Sequence, residues 1–485
     1  MEANDITLLI PIFLLCLCGS SFQAAKVEVE GQGVHIALGA NSYTDRTVMF
    51  VSQESLNKVN LMDPYDKKTI QMAYPAKSLK LNVTGPNRGK LWIQKANITD
   101  LNADMQYYYQ VGNGTKTTTF YFRTWRRRNP QESYRPAMLL FYGNIEDDNG
   151  AVPAYHNLRE DINAHLYSGI FNLGSLSCGK DLHQFLLNLQ GLAGYTPLLT
   201  TPGEYEHRNK YQLYSQLFSM PNTDWPMDKF WYSFNTEKAH IISVNTELYG
   251  LEKDGMRSQQ LRWLKADLIA ANNATLRNLS HTPWLIVYTH RSLFCSGDDN
   301  CTDFSPKLQE LEDLFYHFGV DLVISAQDNF YERTWPVRRG VQHQDNYLDP
   351  VYPVYISTAA FTCNKNKPSN PKEFAWTARR INCRNMSTYG HLKILNATHL
   401  YWEEMAADNG SVIDTFYIKQ NHHGPFLVKV GHSSSVVAIV LSCAVILLVG
   451  AIVILLWRRC HHFIQKKRAA RKMRYVNLNE GQLEL

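Results

Sequence analysis

The chain has 485 residues, of which 45% are hydrophobic, 12% aromatic and 19% charged. This composition excludes a disordered chain, a collagen and a coiled coil, and the length predicts two or three domains. The formal net charge is +5. That average identifies no acidic partner until the charge is located along the chain.

Residues 1–25 are predicted to be a secretory signal peptide. Residues 6–19 are apolar and are followed by small residues, which is typical of a cleaved signal, although the usual preceding positive charge is missing. Nine N-x-S/T sequons follow, all before a second apolar run, so we expect an exported glycoprotein. They are Asn82, Asn97, Asn113, Asn273, Asn278, Asn300, Asn385, Asn396 and Asn409.

Residues 26–124 contain short alternating segments separated by turn residues. Three of them, at 78–83, 106–111 and 118–123, have the period of strands, and no long helical periodicity appears. The pattern predicts a β-sandwich of about 100 residues. Residues 125–136 are charged, poor in apolar residues and end in proline, which indicates a linker.

Residues 137–420 alternate apolar runs with amphipathic segments, including one in which Leu261, Leu264 and Leu268 share a helix face. Seven runs read as strands: 138–142, 169–173, 197–200, 240–244, 284–288, 321–324 and 351–357. Such continuous runs predict an α/β domain with strands buried on both faces. Chemistry then collects on the loops after the strands. These loops begin near Gly143, Gly174, Gly203, His290 and Ala326.

Five cysteines lie in the exported region. Cys295 and Cys301 enclose a short polar loop, and Cys363 and Cys383 flank a polar stretch, so each pair is a candidate disulfide. Cys178 is left over and requires its own explanation.

The C-terminal part predicts a membrane anchor. After a stalk at 421–435, residues 436–457 carry no charge and are long enough to span a bilayer. Eight Lys and Arg residues follow in the tail at 458–485, which places that end in the cytoplasm beside anionic inner-leaflet lipid. We expect a single-pass type I protein of the plasma or endolysosomal membrane, with Cys460 a candidate for lipidation. Nothing predicts binding to nucleic acid.

Many segments between residues 107 and 419 resemble purple acid phosphatases of the animal long-chain type (acid phosphatase type 7-like). The resemblance is carried by Phe230–Asn235, His240–Glu247, Pro283–Ser296 and Asn329–Val337, among others. It implies a two-domain ectodomain of mixed α+β and α/β class: a fibronectin-III-like β-sandwich, then a calcineurin-like metallophosphatase β-sandwich flanked by helices. One C-terminal transmembrane helix completes the predicted fold.

The family's chemistry requires five loop motifs, GDxG, GDxxY, GNH[ED], VxxH and GHxH. The resemblance implies that they supply seven ligands to a dinuclear centre of Fe with Zn, Mn or Fe, while the His of the third motif assists proton transfer. This chain reads GNIED, GSLSC, GEYE, VYTH and AQDN at these places. Only His290 is kept. The other six ligand positions are Asn144, Ser175, Cys178, Glu204, Gln327 and Asn329, and Tyr205 replaces the His of the third motif.

These substitutions predict a pseudophosphatase. Amides and hydroxyls are weaker ligands than the carboxylates and imidazoles that they replace. We therefore expect no dinuclear cofactor, no catalysis by the family mechanism, and a binding or receptor role toward an unidentified extracellular ligand or protein. We also expect Cys178 and Tyr205 to fill space inside the pocket.

Other hypotheses remain open. Glu204 and His290, with Glu146, Asp147 or Asp148, could ligate one hard cation, giving a membrane-anchored acid phosphatase, a phosphate monoester hydrolase with an altered or single-metal site. Cys178 and His290 could also form a nucleophile–base pair. A third hypothesis is an adhesion or scaffold protein whose N-terminal domain and glycans make the contacts.

Overall fold

The computed structural model describes most of the chain from Gly31 to Glu480. The described ranges are 31–56, 58–81, 91–113, 116–126, 136–143, 152–165, 167–176, 182–236, 238–250, 255–273, 277, 282–297, 305–326, 330–358, 372–382, 386–426 and 435–480. Several predicted features lie outside them, wholly or for the most part: the signal peptide, the linker, the stalk, Asn82, Asn278, Asn300, Asn385, Cys178, Cys301, Cys363, Cys383 and several site positions named below.

The N-terminal part is a single seven-stranded sheet that folds over its own core. Its strands are β1 Gln32–Leu38, β2 Arg46–Ser52, β3 Lys58–Met62, β4 Ile70–Lys80, β5 Trp92–Ile98, β6 Gln106–Asn113 and β7 Lys116–Arg123, in the order β1-β2-β5-β4-β3-β6-β7. The long strand β4 pairs with β3 through Met72 and with β5 through Ala76, so it joins the two layers. The predicted strands at 106–111 and 118–123 are confirmed. The fibronectin-III-like detail stays a prediction.

Two mixed sheets form the second part, and every one of the seven predicted runs contains a strand. The strands are β8 Ala137–Tyr142, β9 Gly169–Asn172, β10 Leu198–Thr200, β11 Tyr232–Asn235, β12 Ala239–Val244, β13 Trp284–Thr289, β14 Leu322–Ser325, β15 Phe330–Thr334, β16 Val337–Arg338, β17 Val341–Gln342, β18 Val354–Ser357, β19 Thr377–Asn382, β20 Thr388–Ile394, β21 His399–Ala406 and β22 Val412–Lys419. One sheet has the order β10-β9-β8-β20-β21-β22 and the other β11-β12-β13-β14-β18-β15-β19; β16 and β17 form a small hairpin.

The two large sheets pack face to face through aromatic side chains. The rings of Phe141 on β8 and Phe171 on β9 lie 6.4 and 5.3 Å from the ring of Tyr288 on β13. All three residues are at most 1% exposed. Close packing in this shared core fixes the position of one sheet relative to the other. The loops that leave the strand ends of the two sheets are therefore held next to each other.

The helices of the second part are α1 Val152–Ala164, α2 Leu182–Ala193, α3 Glu204–Arg208, α4 Gln212–Leu217, α5 Gly255–Ala271 and α6 Gln309–Phe318, with short 3-10 turns at Thr246–Tyr249 and Ser305–Leu308. A further helix, α7 Ser435–Glu480, follows the last strand. The predicted apolar face of α5 is confirmed, because Leu264 and Leu268 are fully buried and Leu261 packs beside them.

The N-terminal sheet contacts the helices of the second part. Nε2 of His35 on β1 lies 2.9 Å from the carbonyl oxygen of Leu217. The hydroxyl of Tyr109 on β6 donates to the carbonyl of Gly194 at 2.7 Å. These buried contacts attach the N-terminal sheet to the chain just before β10, at Gly194, and at the end of α4, at Leu217. The N-terminal sheet therefore supports the helices that follow β10.

One helix among the described residues is long and apolar enough to cross a membrane, over residues 445–471 of α7. The predicted span 436–457 lies within the same helix. Cys460 is exposed and its thiol is free. Membrane location stays a prediction.

Four sequon side chains lie within the described residues, those of Asn97, Asn273, Asn396 and Asn409, and all four are exposed. Glycosylation stays a prediction. Cys295 is 5% exposed and takes part in a disulfide bond. Its partner lies outside the described residues, so the pairing with Cys301 is not tested.

A buried histidine joins α1 to the sheet. Nε2 of His391 on β20 lies 3.1 Å from Oδ2 of Asp161 and 2.7 Å from the hydroxyl of Tyr167, and Nδ1 lies 3.6 Å from Oε2 of Glu403. Burial alone would lower the pKa of His391, but the hydrogen bonds to Asp161 and Glu403 outweigh it and raise the pKa above its usual 6.5. The charged imidazolium is thus the form that the fold stabilises.

This cluster predicts that the ectodomain loses stability as the pH rises. Because the folded-state pKa of His391 exceeds the unfolded value, its stabilisation is complete below the unfolded pKa and is lost as pH rises through the folded one. We expect the melting temperature to fall as the pH rises above 6.5, and His391→Asn to flatten that fall. His317→Asn, at an exposed position on α6, is the control. An unchanged pH slope in His391→Asn would contradict the prediction.

Candidate functional site

Three glycines and one alanine bring the motif loops into backbone contact. A Cβ on Gly143 would lie 2.3 Å from Cβ of Ala326, and a Cβ on Gly203 would lie 2.4 Å from the backbone nitrogen of Ser175. A Cβ on Gly174 would lie 2.8 Å from Nδ1 of His290. Real Cβ atoms do not approach so closely, so these loops pack without room for further atoms. All five predicted loop starts therefore converge at one end of the sheets.

His290 is buried at the end of β13 and is held by hydrogen bonds on both ring nitrogens. Nδ1 lies 2.7 Å from the carbonyl oxygen of Leu173, so this nitrogen donates. Nε2, left with its lone pair, lies 3.3 Å from the hydroxyl of Ser175 and accepts from it. Burial, reinforced by the charge of Arg291, lowers the pKa of His290 to about 4. The imidazole is therefore neutral, and Nε2 is the only nitrogen available for a ligand.

Glu206 organises the turn that faces His290. It is 4% exposed, and its Oε2 accepts hydrogen bonds from the backbone nitrogens of Gly203 at 2.7 Å and Ser175 at 2.9 Å. Burial raises the pKa of Glu206 to about 7, against the opposing effect of the backbone donors. Ser175 adopts φ +53°, in the left-handed region. Glu206 was missed as a site residue, although it occupies the acidic last position of the GNH[ED] motif.

Glu204 and Tyr205 are the first two residues of α3. The Glu204 carboxylate pairs with Arg208, and its Oε2 lies 3.6 Å from Nη2 of Arg291. Tyr205 is 38% exposed. Whether Tyr205 fills the pocket stays a prediction, because Asn144, Cys178, Gln327 and Asn329 lie outside the described residues.

A buried ion pair follows His290 directly. Nε and Nη2 of Arg291 donate to Oε2 of Glu247 at 3.0 and 2.8 Å, and the Arg291 backbone nitrogen donates to the hydroxyl of Thr246 at 2.9 Å. Burial raises the pKa of Glu247, with the Arg291 charge opposing it. Because Arg291 also approaches Glu204, a fixed positive charge stands beside the carboxylate that was a candidate metal ligand.

These residues do not fit a dinuclear metal centre. His290 Nε2 is engaged by Ser175, and Glu204 is engaged by two guanidinium groups. Within the part of the chain that the structure describes, no group of three or more His, Cys, Asp or Glu side chains could hold a metal ion. Two cations in such a centre lie about 3.5–4 Å apart and need anionic ligands between and around them. A neutral hydroxyl, or a carboxylate already paired with arginine, is a poor substitute for those ligands.

The remaining predicted positions are not all tested. Asn144, Cys178, Gln327 and Asn329 lie outside the described residues, as do Glu146, Asp147 and Asp148. The nucleophile–base hypothesis for Cys178 and His290 thus stays a prediction. So does the expectation that Cys178 fills space inside the pocket.

Comparison with known proteins agrees with this arrangement. Family models described as "Purple acid Phosphatase, N-terminal domain", "Calcineurin-like phosphoesterase" and "Iron/zinc purple acid phosphatase-like protein C" match residues 32–124, 120–326 and 353–415. Acid phosphatase type 7 of Danio rerio is 30% identical over 448 residues, 84% of this chain and 96% of that protein. The Homo sapiens protein of the same name is 30% identical over 359 residues, 68% and 78% of the two chains.

The fold is also that of a solved relative. The structure of purple acid phosphatase PPD1 from yellow lupin seeds matches with a TM-score of 0.64 at 17% identity, over 81% of this chain and 75% of that one. The chain belongs to the purple acid phosphatase family. Members of this family are dinuclear metallophosphatases, and this chain carries other residues at six of the seven ligand positions that the resemblance implies.

Proposed function

We propose that this protein is a catalytically inactive member of the purple acid phosphatase family that serves as a membrane-anchored binding or receptor glycoprotein. One observation carries the proposal. Gly174 approaches His290 and Gly203 approaches Ser175 without room for a Cβ, and the only available ring nitrogen of His290 faces the serine hydroxyl at 3.3 Å. The fold is kept while the means of binding two cations is lost.

The charge of the site supports this function. The resemblance implies three anionic ligands, two aspartates and a tyrosinate, whereas this chain offers Asn144, Ser175 and Cys178 at those positions. The one acidic replacement, Glu204, is already paired with arginines. A multivalent cation would have to displace these ion pairs and would meet the Arg291 charge, which makes its binding unfavourable.

The setting of the site completes the proposal. The signal peptide, the nine sequons, the candidate disulfides Cys295–Cys301 and Cys363–Cys383, and the basic tail after α7 all support a type I glycoprotein of the secretory pathway. The single long apolar helix found among the described residues is the proposed anchor. We place the ectodomain outside the cell or in an endolysosomal lumen.

Metal content and turnover test the proposed function. We expect the purified full-length protein to carry no stoichiometric transition metal, because its site offers neutral or paired groups, and to hydrolyse an aryl phosphate no faster than a buffer blank between pH 4 and 7. The control restores the family residues at all seven positions. It combines Asn144→Asp, Ser175→Asp, Cys178→Tyr, Glu204→Asn, Tyr205→His, Gln327→His and Asn329→His, and we expect it to regain bound metal. Two metals with turnover in the unmodified protein would overturn the proposal.

The same assay distinguishes the acid phosphatase hypothesis. If a single altered metal site were active, Glu204→Ala and His290→Ala would each abolish the activity, because these are its only described ligands. Activity that survives both substitutions would not arise from this site. Arg208→Ala, which removes a partner of Glu204 on the exposed side of α3, is the matched control.

A further inference from the structure

A cavity of about 280 Å³ lies between the N-terminal sheet and the second part of the chain. Ala137, Ser168 and Pro197 line it, at or directly before the first residues of β8, β9 and β10. These three strands run parallel, and the motif loops around His290 follow them. The cavity therefore lies at the opposite end of the sheet from the candidate site. Its volume approaches the roughly 300 Å³ at which small-molecule sites begin.

Hydrogen bonds hold the wall of this cavity in place. The indole nitrogen of Trp125 donates to the carbonyl of Ser168 at 2.5 Å, which joins the two parts of the chain. The hydroxyl of Tyr167 donates to Oδ2 of Asp161 at 2.6 Å. Trp125 and Tyr167 are both buried, and the Trp125 ring lies edge-on to Tyr43 at 6.2 Å. Because the wall is already ordered, a ligand that enters it loses little affinity to the ordering of side chains.

A row of three tyrosines leads along the outer face of the N-terminal sheet into the cavity. Tyr108 on β6 and Tyr121 on β7 are directly opposite in register, with ring centroids 6.1 Å apart. The Tyr121 ring lies 4.9 Å from that of Tyr195, and both residues line the cavity. Tyr121 is 43% exposed, whereas its neighbours Phe120 and Phe122 fill the core. The tyrosine row therefore presents aromatic surface that the core does not use.

Polar side chains that donate and accept hydrogen bonds stand beside the tyrosine row. Gln106 is opposite Arg123 in register, and its amide nitrogen donates to the hydroxyl of Tyr108 at 2.6 Å. Nε of Arg123 donates to Oδ1 of Asp104 at 2.9 Å. The side chains of Arg123 and Asp104 are both partly exposed, and both residues line the cavity. A ligand in the cavity thus meets a guanidinium and a carboxylate side by side.

These groups match the chemistry of a neutral sugar. A pyranose ring has apolar C–H faces and a rim of hydroxyl groups. Tyrosine rings offer a flat apolar surface with a polar edge, and one sugar hydroxyl can donate to a carboxylate while it accepts from a guanidinium. The opposite charges of Asp104 and Arg123 compensate each other. A wholly apolar ligand would instead remove water from these polar groups without replacing its hydrogen bonds.

We propose that the cavity and the tyrosine row form a binding site for a neutral oligosaccharide, either free or carried on a glycoprotein. Its sugar rings lie against Tyr121 and Tyr195, and its hydroxyl groups bond to Asp104 and Arg123. This site is separate from His290 and goes beyond the proposed function. It depends on neither the presence nor the absence of a metal centre.

Saturation-transfer magnetic resonance on the full-length protein in lipid nanodiscs tests the class of ligand. The free probes are cellotriose, maltotriose and mannotriose, and a high-mannose glycopeptide represents the attached source, with the same peptide without sugar as its control. We expect at least one neutral probe to receive saturation from the protein. Binding of the glycopeptide without any free trisaccharide would also support the site and would assign it to glycoproteins. Because Arg126 also lines the cavity, a hyaluronan tetrasaccharide is the acidic probe. If no probe binds, or only the acidic one does, the proposal is overturned.

Substitution of Tyr121 tests the location. Tyr121→Ala is expected to weaken the binding of the neutral probe about tenfold, which corresponds to the upper end of the energy of one aromatic contact, while Tyr121→Phe keeps the ring and most of the affinity. The matched control is Tyr417→Ala on β22. Tyr417 is 55% exposed and lies directly opposite Tyr401, with ring centroids 4.4 Å apart. Unchanged binding in Tyr121→Ala, or an equal loss in Tyr417→Ala, would overturn the location.

A second variant tests the polar contact. Arg123→Gln, at a partly exposed position, is expected to weaken binding about threefold or more, the effect of one lost hydrogen bond. The melting temperature of each variant is measured alongside, and we expect it to stay unchanged because these side chains are exposed. Unchanged binding in Arg123→Gln would overturn the assigned contact. None of these results depends on metal content or turnover, so failure of the inactive-enzyme proposal is recognised separately.

Discussion

Replacing Arg277 by alanine is expected to lower the free energy of unfolding by about 3–5 kcal/mol, because it leaves a buried carboxylate without its counter-charge. Nη1 of Arg277 lies 3.3 Å from Oδ2 of Asp321, and Nη2 donates to the carbonyl of Gly319 at 2.8 Å. Both side chains of the pair are at most 3% exposed. Asp321 also accepts from the backbone nitrogen of Leu285 at 2.9 Å, so it cannot turn toward water.

Urea unfolding followed by tryptophan fluorescence measures this loss, since Trp284 is fully buried next to Leu285 at the start of β13. The matched control is Arg257→Ala. Arg257 pairs with Glu310 at 2.8 Å, but the two side chains are 32% and 50% exposed, and an exposed pair contributes no more than about 1 kcal/mol. An equal effect of the two alanine substitutions would contradict the prediction.

The double substitution Arg277→Met with Asp321→Asn is a further check. It removes both charges at once, and burying a neutral pair costs much less than burying one unpaired charge. We expect this variant to be more stable than Arg277→Ala.

The sequence alone identified the central strands of the second part because those strands are buried on both faces. β12, β13 and β14 are mostly apolar, with only His240 and Ser243 interrupting β12 and one hydroxyl residue ending each of the other two, and such runs are visible without knowledge of the partners. Glycine at the end of a run marked where loops begin. These local features indicated the α/β class and the loops that carry the site, while the resemblance supplied the family fold and the motif positions.

The C-terminal antiparallel strands β19–β22 did not stand out as apolar runs. β21 alternates buried and half-buried residues and carries Glu403 and Glu404 in its middle. Glu404 is fully buried, where its carboxylate accepts from the hydroxyl of Thr358 and the indole of Trp402 at 2.7 and 3.2 Å. The hydroxyl donor lies 46 residues away, so no local pattern indicates that a buried acid belongs there.

The composition of the site was predictable, but its internal contacts were not. The motifs in the sequence were enough to show that six of the seven metal-ligating residues are replaced. That Arg291 would contact Glu247 rather than solvent, and that Glu206 would bind the turn of Ser175, depend on loops that are distant in sequence.

The convergence of the loops predicts a second large effect, at Gly203. Gly203→Ala is expected to lower the free energy of unfolding by about 3 kcal/mol, at the upper end of the usual cost of overpacking. The added Cβ would lie 2.4 Å from the backbone nitrogen and 2.7 Å from the hydroxyl oxygen of Ser175. Ser175 cannot yield easily, since its backbone nitrogen donates to Glu206 and its hydroxyl contacts His290.

Gly255→Ala is the control for this substitution, because a Cβ there meets nothing within 4 Å. Gly255 is the first residue of α5, where alanine is expected to stabilise by up to about 1 kcal/mol. If the loops are packed as described, thermal unfolding will show a lower melting temperature for Gly203→Ala and an equal or higher one for Gly255→Ala. The imidazole signal of His290 in a nuclear magnetic resonance spectrum should shift in Gly203→Ala alone. A Gly203→Ala protein as stable as the unmodified one would mean that Gly203 and Ser175 are free to separate, and the close packing beside His290 would then have to be abandoned.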